Sequence, residues 1–150
     1  MRKPKTTSLS RSNLTPGESP ILSPGNPIAT MLTMTTPPIT PSQEMLDALN
    51  LHPLLGYAGF HRCEQTQESR DQLMAAGREI NSARAWIKTN CQPRKTANRS
   101  SGAYGIKHVI ERATGDYISE GSCIFAFILE GYRCSVNGPF CHFYFKFNKA

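Results

Sequence analysis

The spacing of hydrophobic positions predicts two helices in the first half of the foldable chain. Ser42 is a suitable N-cap for a short helix that ends near Asn50. Apolar residues then recur every three or four positions from about Gln65 to Asn90, which predicts one long amphipathic helix. Its apolar stripe consists of Leu73, Ala76, Ile80, Ala83 and Ile87.

Two further helices are predicted after the polar segment 93–102. The first covers about 103–114, and Gly115 is a typical residue for the left-handed position that follows a helix. Ser119 can cap the second, which covers about 120–130 and is apolar on nearly every side. A helix without a polar face lies in a core or in an interface.

The C-terminus changes to strand periodicity. Phe143, Phe145 and Phe147 alternate with polar residues, which predicts a strand with one apolar face. The segment 132–136 is the expected partner strand, and the Asn-Gly pair after it is a strong hairpin signal. The predicted fold is mostly α with a C-terminal β-hairpin, an α+β class.

Three helices followed by a hairpin is also the chain order of a winged helix-turn-helix domain. Such a domain reads bases with its last helix, which needs exposed Arg, Lys, Asn, Gln or Ser side chains. Here that helix offers only Glu120, Ser122 and Glu130, and two of these are anionic. Contact with phosphates is therefore favoured over base reading.

The segment 1–41 differs in composition from the rest of the chain. It holds eight of the eleven prolines, is rich in Ser and Thr, and contains no aromatic residue. Such a segment buries too little apolar surface to offset its ordering entropy, so a disordered tail is predicted. We expect residues 42–150 to form a single small globular domain. The true start codon stays open between Met1, Met31 and Met34.

Composition adds a basic charge balance and no membrane segment. The chain has 17 Lys and Arg against 11 Asp and Glu, a formal net charge of +6. This balance favours anionic partners, although an ordinary solvated surface explains it as well. No apolar run approaches the roughly 18 residues that span a bilayer, and no apolar block follows the basic start. We therefore expect a cytoplasmic protein without a membrane partner.

The polar segment 93–102 and the helix after it carry a cluster of cations. Glu111 is the only acid among them, and Lys107 at i,i+4 can pair with it. The cations would contact phosphates, and Tyr104 and His108 share a helical face on which unpaired bases can stack. The alternative is a solvated loop with Tyr104 docked on the core. The predicted nucleic-acid contacts are Arg94, Lys95, Arg99, Tyr104, Lys107, His108 and Arg112.

A second hypothesis assigns the C-terminal hairpin to a protein partner, as an inhibitor or adaptor. Aromatic residues commonly anchor protein interfaces, and an open strand edge also suits pairing with a second copy of the chain. The candidate contacts are Phe143, Tyr144 and Lys146. Burial of the Phe face in the core is the competing interpretation.

Metal and enzyme chemistry are weakly indicated. Five cysteines at irregular gaps make a poor disulfide framework, and Cys134, Cys141 and His142 lack the usual zinc-site spacing. Cys123 or Cys141 with His108 would form a nucleophilic pair, but no local signature surrounds them. We expect a non-enzymatic protein with no metal and no cofactor. A small zinc-stabilised domain is a third alternative.

One ordered set of residues occurs within 101–132. It comprises Ser101, Tyr104-Gly105, Lys107-His108, Glu111, Tyr117, Ser119, Gly121, Phe125-Ala126 and Gly131-Tyr132. This set resembles a pattern in small uncharacterised proteins of bacterial plasmids, integrated elements and prophages. Glu120 departs from that pattern, as do the bulky Phe127 and Ile128. The resemblance implies a mobile-element or phage origin, and such accessory proteins commonly bind DNA or inhibit a host protein.

Overall fold

The computed structural model describes residues 40–149, so the predicted tail lies outside the described residues except for Thr40 and Pro41. The described chain has five helices: α1 Gln43–Asn50, α2 Gln67–Ala75, α3 Gly77–Asn90, α4 Ala103–Thr114 and α5 Glu120–Leu129. Its six strands are β1 Leu55–Gly56, β2 Gly59–Phe60, β3 Cys91–Pro93, β4 Cys134–Asn137, β5 Phe140–Phe143 and β6 Phe145–Phe147. The predicted α+β class with a C-terminal hairpin is confirmed.

Helix α5 lies at the centre of the core. Residues 121–127 are all buried, and the helix packs against α1, α3, α4 and β2. Ser119 caps it as predicted, because its hydroxyl accepts a 3.1 Å hydrogen bond from the Ser122 N–H. Full burial of each large apolar side chain contributes roughly 1.5–3 kcal/mol. Among residues 40–149 no helix combines the length and the apolar character that crossing a bilayer requires.

The single long helix predicted over 65–90 is wrong, because the chain forms two helices there. Ala76 leaves helical geometry with φ −85° and ψ 35°, which ends α2 and starts α3 at Gly77. The break directs α2 toward β1, where Ser69 accepts the Tyr57 N–H through its hydroxyl at 3.1 Å. Four of the five predicted stripe residues are nevertheless buried: Leu73, Ile80, Ala83 and Ile87.

The C-terminal strand that the sequence predicts as one piece is divided between two sheets. β5 pairs antiparallel with β4 around a turn at Gly138, where φ is 62°, so the hairpin is confirmed. β6 leaves this hairpin and pairs antiparallel with β3 at the end of α3. Tyr144 lies between the two sheets. Its N–H donates to the Arg133 carbonyl at 2.9 Å, and its carbonyl accepts the Arg94 N–H at 3.0 Å.

The Phe face of the two C-terminal strands packs into the core. Phe143 is fully buried, and its ring stacks on that of Phe127 with centroids 4.0 Å apart. Phe145 is fully buried as well, whereas Phe147 is partly exposed at the edge beside Trp86. Core burial therefore accounts for two of the three alternating phenylalanines.

Only glycine fits at position 121, where α5 meets the β1–β2 turn. A Cβ there would collide with the carbonyl oxygen of Gly56 and would lie 2.6 Å from that of Tyr57. The Gly121 N–H also donates to the Tyr57 carbonyl at 3.0 Å. Backbone atoms on both sides make this contact, so no side chain can turn aside to relieve it.

We expect Gly121→Ala to lower the free energy of unfolding by roughly 1–3 kcal/mol, the usual cost of overpacking a close contact. Gly105→Ala is the matched control. Its Cβ would come no nearer than 3.8 Å to a neighbour, and replacing an exposed helical glycine by alanine adds about 0.5–1 kcal/mol. Denaturant titration measures both changes. Equal effects of the two substitutions would contradict the close approach.

Candidate nucleic-acid interface

The cationic loop 94–99 is fixed against the C-terminal strands. Asn98 is its buried anchor, because its N–H donates to the Phe143 carbonyl at 2.8 Å and its side chain accepts the Ser100 N–H at 3.1 Å. With Arg94 bonded through its backbone to Tyr144, the loop is held at both ends. The side chains of Arg94, Lys95 and Arg99 are exposed on it.

The outer face of the C-terminal strands continues this charged surface. Successive side chains of a strand point to opposite faces, so burial of Phe145 directs Tyr144 and Lys146 outward. The Arg133 guanidinium lies over the Tyr144 ring, 4.5 Å from its centroid. The loop and the outer strand face, which belong to two different sequence-based hypotheses, are therefore neighbours through Tyr144.

Two stretches that contain no acid form this region. Residues 91–110 and 131–149 together carry seven Lys and Arg and no Asp or Glu, whereas residues 41–90 mix five cations with six acids. Six of the seven cations are exposed, and none of these six forms an ion pair within residues 40–149. They are Arg94, Lys95, Arg99, Arg133, Lys146 and Lys149.

Lys107, the seventh cation, is withdrawn from the surface. Its ammonium donates to Glu111 Oε1 at 3.0 Å and to the Ile118 carbonyl at 3.1 Å, and the residue is buried. The i,i+4 pairing expected from the sequence is present. Lys107 is therefore not placed to reach a phosphate, which corrects its inclusion among the predicted contacts.

Glu111 stays ionised because three donors converge on it. Burial alone would raise the pKa of this carboxyl, but hydrogen bonds from Lys107, the Ile118 N–H and His108 lower it to about 2. The His108 Nδ1 lies 2.7 Å from Glu111 Oε2, and the Ile118 N–H lies 3.1 Å from Oε1. The carboxylate thus joins α4 to the segment that leads into α5.

The outer face of α4 carries the other predicted contacts. Tyr104, His108 and Arg112 follow one another at intervals of four residues, which places them on one side of a helix. Tyr104 and Arg112 are exposed and His108 is half-exposed. The rings of Tyr104 and His108 meet edge to face with centroids 4.6 Å apart. Tyr104 is therefore a surface residue and is not docked on the core.

No base-reading role is open to α5. In the winged-helix order this helix would occupy the reading position, yet residues 121–127 are enclosed by the core. Of the two acids at its ends, Glu130 accepts a hydrogen bond from Arg84. Helices α3, α4 and α5 are followed by the β4–β5 hairpin, but the helix that would enter a groove is enclosed by the core.

The hairpin contacts proposed for a protein partner are divided by the fold. Phe143 lies in the core, so its inclusion in an exposed contact set is corrected. Tyr144 and Lys146 point outward, as that hypothesis requires. A partner at the hairpin would meet these two residues together with the exposed ring of Phe140.

The thiols and histidines do not assemble into a metal centre within residues 40–149. Cys141 and His142 are consecutive in β5 and point to opposite faces of the sheet. No group of three or more His, Cys, Asp or Glu side chains in the described part of the chain is placed to hold a metal ion. Cys123 is fully buried, and burial raises the pKa of its thiol, which disfavours the nucleophilic thiolate.

Arg133 and Tyr117 also lie in this region, and neither is among the contacts predicted from the sequence. Tyr117 is exposed, and its ring centroid lies 5.2 Å from the Lys107 Nζ. Arg133 reaches the region only through the pairing of β6 with β3, which brings Tyr144 beside the loop. The absence of acids after residue 130 indicates in the sequence that Arg133 lacks a local partner, whereas no local pattern marks Tyr117.

We expect Glu111→Gln to lower the free energy of unfolding at pH 7 by roughly 1.5–3 kcal/mol, since it removes a charged partner from a buried ammonium. The folded-state pKa of about 2 lies below the ordinary value of 4.5. Stability from this group is therefore complete above pH 4.5 and is lost as the pH falls toward about 2. The difference between wild type and variant should shrink over that range.

Guanidinium unfolding at neutral and acid pH measures this difference. Glu64→Gln is the control, because Glu64 is exposed and forms no ion pair within residues 40–149. A Glu111→Gln deficit that does not change between neutral and acid pH would contradict the ion-pair account.

No protein-family model matches this chain, and neither a curated protein nor a solved structure shows significant similarity to it. No residue role can therefore be transferred from a characterised protein. The contacts, exposure and charges described above are the basis on which a function can be proposed.

Proposed function

We propose that this protein is a cytoplasmic, non-enzymatic accessory protein of a bacterial mobile element or phage that contacts nucleic acid. The contact surface is the loop 94–99 with the outer face of the C-terminal strands and the exposed face of α4. The resemblance of residues 101–132 supports the proposed origin. The observation that carries the proposed activity is the joining of two acid-free stretches at Tyr144.

The charge arrangement supports a polyanionic ligand. Exposed cations on a mixed surface normally have carboxylates nearby, and α3 shows this with its pairs Arg78–Asp116 and Arg84–Glu130. The six exposed cations of the acid-free stretches form no such pairs within residues 40–149. Bringing them together without compensating acids raises the local positive potential, which attracts phosphates.

Phosphate contact is the mode that this surface supports. Arginine and lysine bind phosphate oxygens without regard to base sequence, and the helix that a winged domain would use for reading is buried. The loop is also anchored through Asn98, so its cations are presented from a fixed backbone. Affinity should therefore fall steeply with salt and depend little on base sequence.

We expect the triple change Arg94→Gln, Lys95→Gln and Arg99→Gln to weaken binding to labelled oligonucleotides at low salt by at least about tenfold. Each phosphate contact contributes about 0.7–0.9 to the slope of log affinity against log salt, so the slope should become shallower by about two. Binding of wild type and variant is measured across a salt series with single-stranded and duplex DNA and RNA.

The matched control changes two other exposed cations, Arg62 and Lys88, to Gln, and is compared with the double variant Arg94→Gln, Lys95→Gln. The two double variants alter net charge by the same amount, but the control leaves the acid-free stretches intact. The control should keep most of the wild-type slope. Equal losses in the two double variants would show that only net charge matters. Absence of wild-type binding at low salt would remove the proposal.

A protein-binding module at the hairpin is the second candidate function. Phe140 at the hairpin is 67% exposed. Val136 borders a groove of about 320 Å³ whose lining is largely apolar. Tyr144 and Lys146 would belong to both functions, because they lie on the outer strand face. If a Phe140→Ser variant keeps its nucleic-acid binding, the exposed ring at the hairpin is not part of the nucleic-acid contact surface.

A further inference from the structure

Two exposed tyrosines flank the buried ammonium of Lys107. Tyr104 is 62% exposed and Tyr117 is 65% exposed. Their ring centroids lie 5.7 Å and 5.2 Å from the Lys107 Nζ, so both rings lie beside the same ammonium. We call these two exposed residues the tyrosine pair.

Hydrogen bonds fix the backbone on both sides of Tyr117. Lys107 reaches it from α4 and bonds Glu111 and the Ile118 carbonyl, which fixes the backbone directly after Tyr117. The residue directly before Tyr117 is also held, because the Asp116 carboxylate accepts hydrogen bonds from Arg78 at 3.0 Å and Ser82 at 2.8 Å. Both sequence neighbours of Tyr117 are thus hydrogen-bonded to residues of helices.

Two acids near the tyrosine pair are paired with cations, Glu111 with Lys107 and Asp116 with Arg78. Glu79 accepts hydrogen bonds from the Tyr57 hydroxyl and the Ser119 N–H, and Glu120 forms no ion pair within residues 40–149. Arg112 is exposed one helical turn beyond His108 and forms no ion pair within residues 40–149. Exposed aromatic rings near the unpaired cation Arg112 suit a ligand that is both aromatic and anionic.

We propose that the nucleic acid bound by this protein is single-stranded and that unpaired bases stack on Tyr104 and Tyr117. Single strands expose the faces of their bases, whereas a duplex hides them in its stack. The exposed cations of α4 and the loop then meet the flanking phosphates. This inference rests on the proposed function and specifies its ligand.

Pre-positioned rings make this ligand physically favourable. Stacking on a protein aromatic group does not depend on which base is present, in keeping with a surface that contacts phosphates. Because the residues on both sides of Tyr117 are hydrogen-bonded, little backbone freedom is lost when a base binds. The affinity for a single strand should therefore exceed that for a duplex of the same length and sequence.

The test compares the double variant Tyr104→Ala, Tyr117→Ala with Tyr104→Phe, Tyr117→Phe. Stacking lost at one base corresponds to a loss of about 5- to 150-fold in affinity. The alanine variant removes two stacking rings, so it should lose at least this much single-strand affinity with an unchanged salt slope, and the phenylalanine variant should bind like wild type. An oligonucleotide with 2-aminopurine should show fluorescence quenching with wild type and with the phenylalanine variant only.

Phe140→Ala is the control, because its ring is equally exposed but lies on the hairpin. Should Tyr104→Ala disturb the fold around Lys107, the single change Tyr117→Ala in the exposed connection gives the same comparison. Equal wild-type affinity for single strand and duplex, with a steep salt slope, would overturn this inference and leave the phosphate-binding function in place. No binding to either at low salt would overturn both.

Discussion

The burial of helix α5 is the constraint on which the rest of the structure depends. Residues 121–127 present no polar face, so other elements must cover them on every side. Helices α1, α3 and α4 supply part of this cover, and the C-terminal strands add Phe143 and Phe145 against Phe127. Apart from Lys107, charged side chains stay outside this core. The exposed cations of the acid-free stretches lie on the loop 94–99 and on the outer side of the C-terminal segment.

The same packing explains why the unpaired cations meet at Tyr144. Phe143 and Phe145 both lie in the core, although the C-terminal segment passes from one sheet to the other between them. Tyr144 lies at this junction, and its backbone is hydrogen-bonded to Arg133 and Arg94. Strand alternation then directs its ring outward. The fold thus determines where the cations come together, and the absence of acids from both stretches determines that they have no partners there.

Local signals in the sequence predicted the helices well and the strands only in part. The caps at Ser42 and Ser119 and the left-handed residue Gly115 are each decided within one helical turn, and all three are found where the sequence predicts them. The break at Ala76 was missed because the apolar spacing continues across it. β3 was missed because a strand of three residues has no periodicity and its partner lies far along the chain. Arg133 was consequently missed as a member of the interface.

The ion pair of Lys107 and Glu111 links the core to the proposed binding surface. Replacing a buried ion pair by apolar residues is often neutral for stability, so stability alone does not explain a lysine at this position. An apolar side chain could not bond the Ile118 carbonyl and lie beneath two tyrosine rings. The charged pair therefore fixes the backbone next to Tyr117 against α4, the helix that carries Tyr104. Rings placed before a ligand arrives lose less conformational freedom on binding, which is a physical reason for a buried charge so close to the surface.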